Sequence, residues 1–194
     1  MRFQGDMKML ERPLTVWLTG LSGAGKSTLA NGLVAHADMQ GRAISVLDGD
    51  VLRTGLCKDL GFSVADRHEN IRRVAEVARL MNDAGVTALC ALISPLLIDR
   101  EMARNIVGRE HFFEVYVAAP LTTCELRDPK GLYKRARAGQ LPMFTGIDSA
   151  YEAPESPDLV LKTGEQDIAA SIENLAASVR NWRCQGDMAA PWRI

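Results

Sequence analysis

Short apolar runs alternate with longer amphipathic segments along the chain. The apolar runs predict β-strands at residues 14–19, 43–47, 86–93, 112–117 and 159–161. The amphipathic segments predict helices over residues 26–40, 66–84, 97–107, 121–128 and 167–182. Strands separated by helices indicate βαβ units, so we expect an α/β fold with three layers, a parallel β-sheet with helices on both faces.

The spacing of apolar residues also predicts which side of each long helix packs on the sheet. In the first helix we expect an inward face of Leu29, Ala30, Leu33, Val34 and Ala37. In the helix over residues 66–84 the inward face is predicted to hold Ile71, Val74, Val77, Ala78 and Met81. The third strand is apolar almost throughout, which is typical of a strand covered on both faces.

Amino-acid composition and net charge argue against several classes of protein. The 194 residues are 47% hydrophobic with a formal net charge of −1, which argues against a general binder of nucleic acid or anionic membrane. No apolar stretch reaches the ~20 residues of a membrane helix. Four scattered cysteines and three histidines show neither disulfide density nor metal-ligand spacing. We expect a cytoplasmic protein with one domain over residues 13–183, an N-terminal extension over 1–12 and a C-terminal tail over 184–194.

A glycine-rich sequence lies directly between the first predicted strand and the first predicted helix. It reads Gly20-Leu21-Ser22-Gly23-Ala24-Gly25-Lys26-Ser27 and fits G-x-x-x-x-G-K-[ST]. Backbone N–H groups of such a loop surround a phosphate at the helix N-terminus. Lys26 can reach the β and γ phosphates, and the Ser27 hydroxyl can bind Mg²⁺. The alternative is a glycine-rich turn with an incidental Lys-Ser pair, but the strand-to-helix context favours a nucleoside triphosphate site in a P-loop NTPase fold.

Other motifs separate the classes of P-loop protein. A GTPase needs Asn-Lys-x-Asp, and no asparagine here is followed by lysine. A motor or transport ATPase normally has a strand that ends in Asp, whereas the third strand here runs into Ile93-Ser94-Pro95. A small-molecule kinase fits better, because Asp48 and Asp50 follow the second strand and should face the crevice at the carboxyl ends of the strands. A carboxylate there can accept a proton from an attacking hydroxyl or hold Mg²⁺-bound water, although an ordinary Asp-Gly turn is the alternative.

Two further features are groups of polar or basic side chains that need partners. At ~100° per residue, Arg67 and Asn70 share the inward face of their predicted helix, where unpaired polar groups are costly. They need partners from the protein or from an anionic ligand, and Arg53 could join Arg67 in a cationic pocket. A basic run also extends over residues 127–137, with cations at Arg127, Lys130, Lys134, Arg135 and Arg137.

The basic run has two interpretations. Lys130, Lys134 and Arg137 are spaced to share one helical face, which is usually a solvated surface. In a phosphoryl-transfer enzyme the same cations can belong to a lid that excludes water. We favour the lid, here called the lid segment (residues 127–147), with Gly139 and Gly146 as hinges.

With these residues in hand, the chain resembles the adenylyl-sulfate kinase family of sulfate assimilation. The resemblance covers roughly residues 14–182 and rests on six stretches, at residues 20–28, 47–50, 55–70, 93–95, 127–139 and 144–154. The sequences at 127–134 and 144–148 are more specific to the family than the phosphate-binding motif. The resemblance implies that ATP phosphorylates the ribose 3′-hydroxyl of adenylyl sulfate (adenosine 5′-phosphosulfate), giving ADP and 3′-phosphoadenylyl sulfate.

The resemblance also implies residue roles. ATP binding falls on residues 20–28, from Gly20 to Thr28, with Lys26 catalytic. Asp50 is the implied catalytic carboxylate, and Ser27 and Asp48 are the implied Mg²⁺ site. The acceptor site would comprise Asp50, Arg53, Phe62, Arg67, Asn70, Ile93, Ser94, Lys130, Phe144 and Thr145, with the two phenylalanines stacked on adenine. Ser94 is a third candidate catalytic residue, because a phosphoserine at the matching position has been proposed in the family, but we expect direct transfer because positioning and charge stabilisation suffice.

Some positions depart from the family pattern, and some alternatives stay open. Val51 stands where Asn is frequent, Leu96-Leu97 replaces a polar pair, and Ala150 stands where Pro is usual. We expect a homodimer with a functional link to ATP sulfurylase, to which some family members are fused. The alternatives are another P-loop kinase, acting on a sugar acid or a nucleoside monophosphate, or an inactive regulatory copy of the fold. Intact Lys26, Ser27 and Asp50 favour an active enzyme.

Overall fold

A five-stranded, entirely parallel sheet forms the centre of the protein. The computed structural model describes residues 13–186. The strands are β1 (Thr15–Thr19), β2 (Ile44–Asp48), β3 (Thr87–Ala91), β4 (Phe112–Val117) and β5 (Leu159–Leu161). They lie side by side in the order β2-β3-β1-β4-β5. This order places β1 at the centre, so the loop that leaves β1 opens in the middle of one sheet edge.

Within residues 13–186, seven α-helices connect or follow the strands. They are α1 (Lys26–Ala35), α2 (Gly49–Leu52), α3 (Val64–Asp83), α4 (Leu97–Val107), α5 (Leu121–Arg127), α6 (Leu132–Arg137) and α7 (Ile168–Gly186). Two short 3₁₀ turns, Ala37–Met39 and Arg109–His111, follow α1 and α4. None of the helices within residues 13–186 has the length and apolar character needed to cross a membrane.

The core is divided by the sheet into two apolar clusters. On one face α1 and α7 pack through residues such as Leu29 and Leu175 against the Val16 side of the sheet. On the other face α3 and α4 pack through residues such as Val74 and Ala103. Strand residues alternate between the faces, as the period of a strand requires. The expected α/β fold, with three layers and a parallel sheet, is therefore confirmed.

Several predicted boundaries were wrong by a few residues. The first helix ends at Ala35 and not at residue 40, because His36 is extended and its ring accepts a hydrogen bond from the Asp38 N–H, which starts the 3₁₀ turn. Val34, although within α1, and Ala37, in the 3₁₀ turn, are exposed and not on the predicted inward face. The helix predicted over residues 66–84 begins earlier, at Val64, because Ser63 and Asp66 form a capping box.

The predicted ends of the domain are only partly described. The expected N-terminal extension, residues 1–12, lies outside the described residues, as do residues 187–194 of the expected tail. The backbone of α7 continues to Gly186, past the boundary predicted at residue 183.

Candidate active site

Strands β1, β3 and β2 lie side by side from the centre of the sheet to one edge. Their carboxyl ends meet at one cleft of about 830 Å³. The cleft is lined by the glycine-rich loop, by α2 and α3, by the loop after β3, and by the lid segment. All of the predicted site residues line it except Gly20, Leu21 and Asp48. The structure therefore brings together, in a single crevice, residues that lie as far apart in the sequence as Ser22 and Thr145.

The glycine-rich loop has a backbone that requires glycine at its start. Gly20 has a φ of +148°, and a Cβ there would lie 2.5 Å from the Val117 carbonyl oxygen. Gly25 has a φ of +107° and precedes the first residue of α1. A side chain at Gly20 would collide with β4, so glycine lets the loop turn tightly from β1 into α1.

Lys26 lies inside this loop. Its Nζ donates to the Gly20 and Leu21 carbonyl oxygens at 2.9 and 2.8 Å, and the residue is 9% exposed. Burial lowers the pKa of Lys26 to about 8, although nearby carboxylates, including those of Asp48 and Asp50, oppose the shift. An ammonium that is held among carbonyl oxygens at the start of a helix is suited to pair with a phosphate.

Ser27 and Asp48 connect the loop to β2. The Ser27 hydroxyl donates to Asp48 Oδ2 at 2.5 Å, while Asp48 Oδ1 accepts from the Asp50 N–H at 2.9 Å and caps α2. A hydroxyl and a carboxylate at the end of a strand supply the oxygen ligands that Mg²⁺ prefers, with phosphates and water completing its shell. Within residues 13–186, three or more His, Cys, Asp or Glu side chains nowhere form a cluster that would hold a metal by themselves.

Asp50 projects from α2 into the cleft and pairs with a cation from the other side. Its carboxylate is exposed and forms an ion pair with Lys130 Nζ. Lys130 lies between α5 and α6, on the lid segment. The lid segment therefore reaches across the cleft to Asp50.

The first turns of α3 bring polar side chains inward, as the helical pattern predicts. Asn70 is buried, and its Oδ1 has no hydrogen-bond partner among the described residues. Arg67 donates to the Phe62 and Met143 carbonyl oxygens and to Thr145 Oγ1, at 3.0, 2.6 and 2.9 Å. The protein thus supplies partners for Arg67 and leaves an acceptor atom of Asn70 free at the cleft wall.

Two arginines hold the loop that carries Phe62. Arg53 donates to the Leu60 and Gly61 carbonyl oxygens at 3.2 and 3.0 Å. Its guanidinium lies 4.4 Å from the centre of the Phe62 ring, and that of Arg67 lies 5.7 Å away. Burial and the neighbouring Arg53 lower the pKa of Arg67 from its usual value. Phe62 is 55% exposed, so part of its ring is accessible to a ligand. The guanidinium groups of Arg53 and Arg67 hold the ring through cation–π contacts.

Phe144 and Thr145 form the opposite wall. The Phe144 ring meets the edge of Tyr133 at 5.0 Å, and the Tyr133 hydroxyl donates to the Ser22 carbonyl oxygen at 3.0 Å. Thr145 is buried beneath the guanidinium of Arg67. Gly146 lies against Leu21, because a Cβ there would come 3.1 Å from Leu21 Cδ2. The lid segment is therefore packed onto the glycine-rich loop at several points.

Ser94 is held in a strained conformation after β3. Its φ is +39°, which is unusual for a residue other than glycine. Its hydroxyl donates to Thr19 Oγ1 at 2.9 Å and accepts from Trp17 Nε1 at 3.2 Å. Ser94 is 2% exposed, and Ile93 beside it is half-buried at the cleft.

The arrangement of the basic run differs from the prediction. Lys130 precedes α6, which begins only at Leu132 after Gly131 with a φ of +65°. Lys130 therefore does not share a helical face with Lys134 and Arg137. Lys134 and Arg135 are exposed, whereas Arg127 donates to the Thr163 carbonyl oxygen at 2.5 Å. Only part of the run faces the cleft.

The sequence interpretation missed one wall of the cleft. Thr163, Gln166, Asp167 and Ile168, which follow β5, line it beside Arg127. Thr163 Oγ1 donates to the Ala24 carbonyl oxygen at 2.7 Å. These residues form no motif, and the available signal was their position after the last strand of a parallel sheet, where loops gather at the same edge.

Comparison with known proteins gives consistent findings. A protein-family model described as "Adenylylsulphate kinase" matches residues 12–162. An adenylyl-sulfate kinase of Aeromonas hydrophila is 56% identical over 170 residues, which are 88% of this chain and 86% of that protein.

Two solved structures extend the comparison. The APS kinase CysC of Mycobacterium tuberculosis in complex with AMPPNP and APS has a TM-score of 0.83 and 47% identity, covering 87% of this chain and 98% of the other. A hexameric APS kinase from Thiobacillus denitrificans has a TM-score of 0.66 and 32% identity, covering 89% of this chain and 30% of the other.

Proposed function

The chain belongs to the adenylylsulphate kinase family, and we propose that it transfers the γ-phosphoryl group of ATP to the ribose 3′-hydroxyl of adenylyl sulfate. The products are ADP and 3′-phosphoadenylyl sulfate, so the enzyme is a phosphotransferase with an alcohol group as acceptor. The proposal draws support from the structure of the M. tuberculosis protein, which binds an ATP analogue and APS.

The observation that carries the proposal is the position of Asp50. It lies in one cleft with the phosphate-binding loop on one side and the cationic pocket of Arg53 and Arg67 on the other. A donor phosphoryl group on the loop and an anionic acceptor in the pocket would meet beside this carboxylate. Phosphoryl transfer needs the attacking and leaving oxygens roughly in line, and a cleft that binds its substrates from opposite sides satisfies that need.

Within this scheme Asp50 takes the proton of the attacking hydroxyl. A positioned general base contributes about 10²–10⁴-fold to a rate. Lys26 offsets negative charge on the transferring group, and the N–H groups of residues 20–28 cradle the phosphates. Arg53, Arg67 and Asn70 hold the acceptor nucleotide, and Phe62 and Phe144 stack on its adenine. Ile93, Thr145 and Lys130 complete the acceptor pocket.

Mg²⁺ fits the donor set at the end of β2. Ser27 and Asp48 would hold it directly or through water, since their oxygens already meet at 2.5 Å. When bound, the ion neutralises charge on the phosphates of ATP.

The surroundings of Ser94 favour direct transfer over a phosphoserine intermediate. Its hydroxyl is buried and engaged with both Thr19 and Trp17. Phosphorylation would place about two negative charges in that buried position, beside an indole ring. Ser94 therefore acts in this proposal as a fixed part of the pocket wall.

The remaining proposals concern assembly and location. We propose a homodimer, and the support is that one related protein, the APS kinase from T. denitrificans, is hexameric. We also keep a functional link to ATP sulfurylase as a proposal. A cytoplasmic location agrees with the three free cysteines among the described residues, Cys57, Cys90 and Cys124.

An acceptor panel tests the proposed function. Release of ADP from MgATP is measured with adenylyl sulfate, AMP or gluconate as acceptor at equal concentrations. The proposal predicts rapid turnover with adenylyl sulfate alone, and it is wrong if AMP or gluconate supports the faster reaction. Lys26→Ala serves as the blank, because it removes the charge that pairs with phosphate.

A further inference from the structure

A buried arginine outside the cleft joins two segments of the acceptor pocket. Arg100 lies on α4 and is 2% exposed. Its two terminal nitrogens donate to the Ser94 and Glu152 carbonyl oxygens, each at 2.7 Å. Ser94 belongs to the loop after β3, and Glu152 follows the turn that carries Phe144 and Thr145. One planar guanidinium thus connects the loop that lines the pocket at Ser94 to the chain that follows the pocket residues Phe144 and Thr145.

Further hydrogen bonds reinforce the same junction. The Glu152 N–H donates to the Pro95 carbonyl oxygen at 2.8 Å. The Leu97 N–H donates to Glu152 Oε2 at 2.7 Å. Residues 94–97 and residue 152 are therefore connected in both directions, and Arg100 is the buried side chain at the centre of the contact.

The conformation of Ser94 needs this support. A φ of +39° is unfavourable for a side chain other than glycine and persists only where the surroundings impose it. The Ser94 carbonyl oxygen accepts from Arg100 at 2.7 Å, and the neighbouring Ile93 carbonyl oxygen accepts from the Thr19 hydroxyl at 2.7 Å. These two donors hold the peptide in the orientation that turns Ile93 towards the cleft.

The Arg100 guanidinium also contacts Glu114 and Tyr151. Its Nε lies 3.0 Å from Glu114 Oε1, and its guanidinium lies 5.8 Å from the centre of the Tyr151 ring. Arg104 pairs with Glu114 at 2.9 Å and with Asp158 at 3.7 Å. Glu114 compensates the buried charge of Arg100, whose Nε makes no hydrogen bond within the described residues, and the two terminal nitrogens supply the hydrogen bonds of the guanidinium.

We propose that Arg100 is a positioning residue for the acceptor site. It is not among the described residues that line the cleft, so it acts through Ser94 and Glu152 and not on the substrate. The inference rests on the proposed function, since it assigns these segments to binding of adenylyl sulfate. It predicts separate effects on the two substrates, because the ATP side of the cleft is built from other elements.

The test compares Arg100→Lys and Arg100→Met with Arg109→Met. A lysine keeps the charge but has one nitrogen and cannot donate along the same fork to both carbonyl oxygens. Both Arg100 variants should raise KM for adenylyl sulfate about tenfold or more, as small displacements in a binding site do. Their KM for ATP should change less than about twofold. Arg109→Met is the control, since that exposed arginine pairs with Glu101 and takes no part in the contacts of Arg100 with Glu114, Ser94 and Glu152.

A second measurement needs no substrate. Because the Trp17 indole N–H donates to the Ser94 hydroxyl, its NMR resonance reports the position of Ser94. Trp17→Phe assigns the resonance among those of the three tryptophans. The Arg100 variants should shift it, and Arg109→Met should not. If the wild type fails to phosphorylate adenylyl sulfate, the proposed function fails, while this resonance still decides whether Arg100 sets Ser94.

One variant covers the case in which Arg100 substitutions do not fold. Glu152→Ala removes only an exposed carboxylate, and it cuts the bond to the Leu97 N–H while Arg100 stays in place. It should also raise KM for adenylyl sulfate and shift the Trp17 resonance. The proposal is overturned if a folded Arg100 variant keeps the wild-type acceptor KM, if no Arg100 variant folds and Glu152→Ala keeps it, or if Arg109→Met raises it equally.

Discussion

Lys130 forms an ion pair with the Asp50 carboxylate from the opposite side of the cleft. Asp50 lies on α2 after β2, and Lys130 lies on the turn between α5 and α6. Both side chains are at least half exposed, so the pair contributes little to the stability of the fold. Its consequence is local, because it brings a cation of the lid segment to the carboxylate proposed as the general base.

Replacing Lys130 should therefore affect the acceptor and not the fold. Lys130→Met should raise KM for adenylyl sulfate about tenfold, the usual effect of losing a hydrogen bond to a charged group. The melting temperature should stay that of the wild type. Steady-state kinetics and thermal melts check both, with exposed Lys134→Met as the matched control. Equal effects of the two substitutions would mean that Lys130 belongs to a solvated surface.

Replacing Asp50 should affect the chemical step. Asp50→Asn keeps the shape of the side chain but cannot take a proton, so kcat should fall about 10²–10⁴-fold. Binding of adenylyl sulfate, measured by calorimetry in the presence of ADP, should weaken far less. A loss confined to binding, with kcat preserved, would reduce Asp50 to a positioning group.

Replacing Phe62 and replacing Phe144 should affect the stability of the fold differently. Phe62 is 55% exposed, whereas Phe144 packs against Tyr133 and the core. Stacking on a base is worth ~1–3 kcal/mol, so either alanine variant should weaken binding of adenylyl sulfate by about tenfold or more. Only Phe144→Ala should lower the melting temperature. Unchanged acceptor binding in Phe62→Ala would remove that ring from the adenine site.

Sequence patterns predicted the features that depend on residues close together in the sequence. The glycine-rich loop, α4, β4 and the inward position of Asn70 follow from motif or periodicity. The partners of the same residues depend on contacts distant in sequence, such as Arg67 with Met143, and no pattern encodes them. The start of α6 was missed because Gly131 interrupts a basic run that otherwise looks helical. The wall from Thr163 to Ile168 was missed because its role arises from topology alone.

Binding of ATP should depend on pH through Lys26. Burial lowers the pKa of Lys26 to about 8, so its ammonium is lost as the pH rises through that value. The cation attracts phosphate, so the dissociation constant for ATP should rise up to about tenfold between pH 7 and pH 9. Calorimetric titration without acceptor measures this. Lys26→Met should bind more weakly and show a flat profile, and an equally steep profile in that variant would assign the dependence to another group.

Identification of the product tests the central claim most directly. The protein is incubated with MgATP and adenylyl sulfate, and the nucleotide product is isolated and its phosphate ester located by ³¹P and ¹H NMR. The account predicts one new phosphate, on the 3′-oxygen of the ribose, formed in step with ADP and strongly reduced in Asp50→Asn. A phosphate at any other position, or consumption of ATP without a phosphorylated adenylyl sulfate, would contradict it.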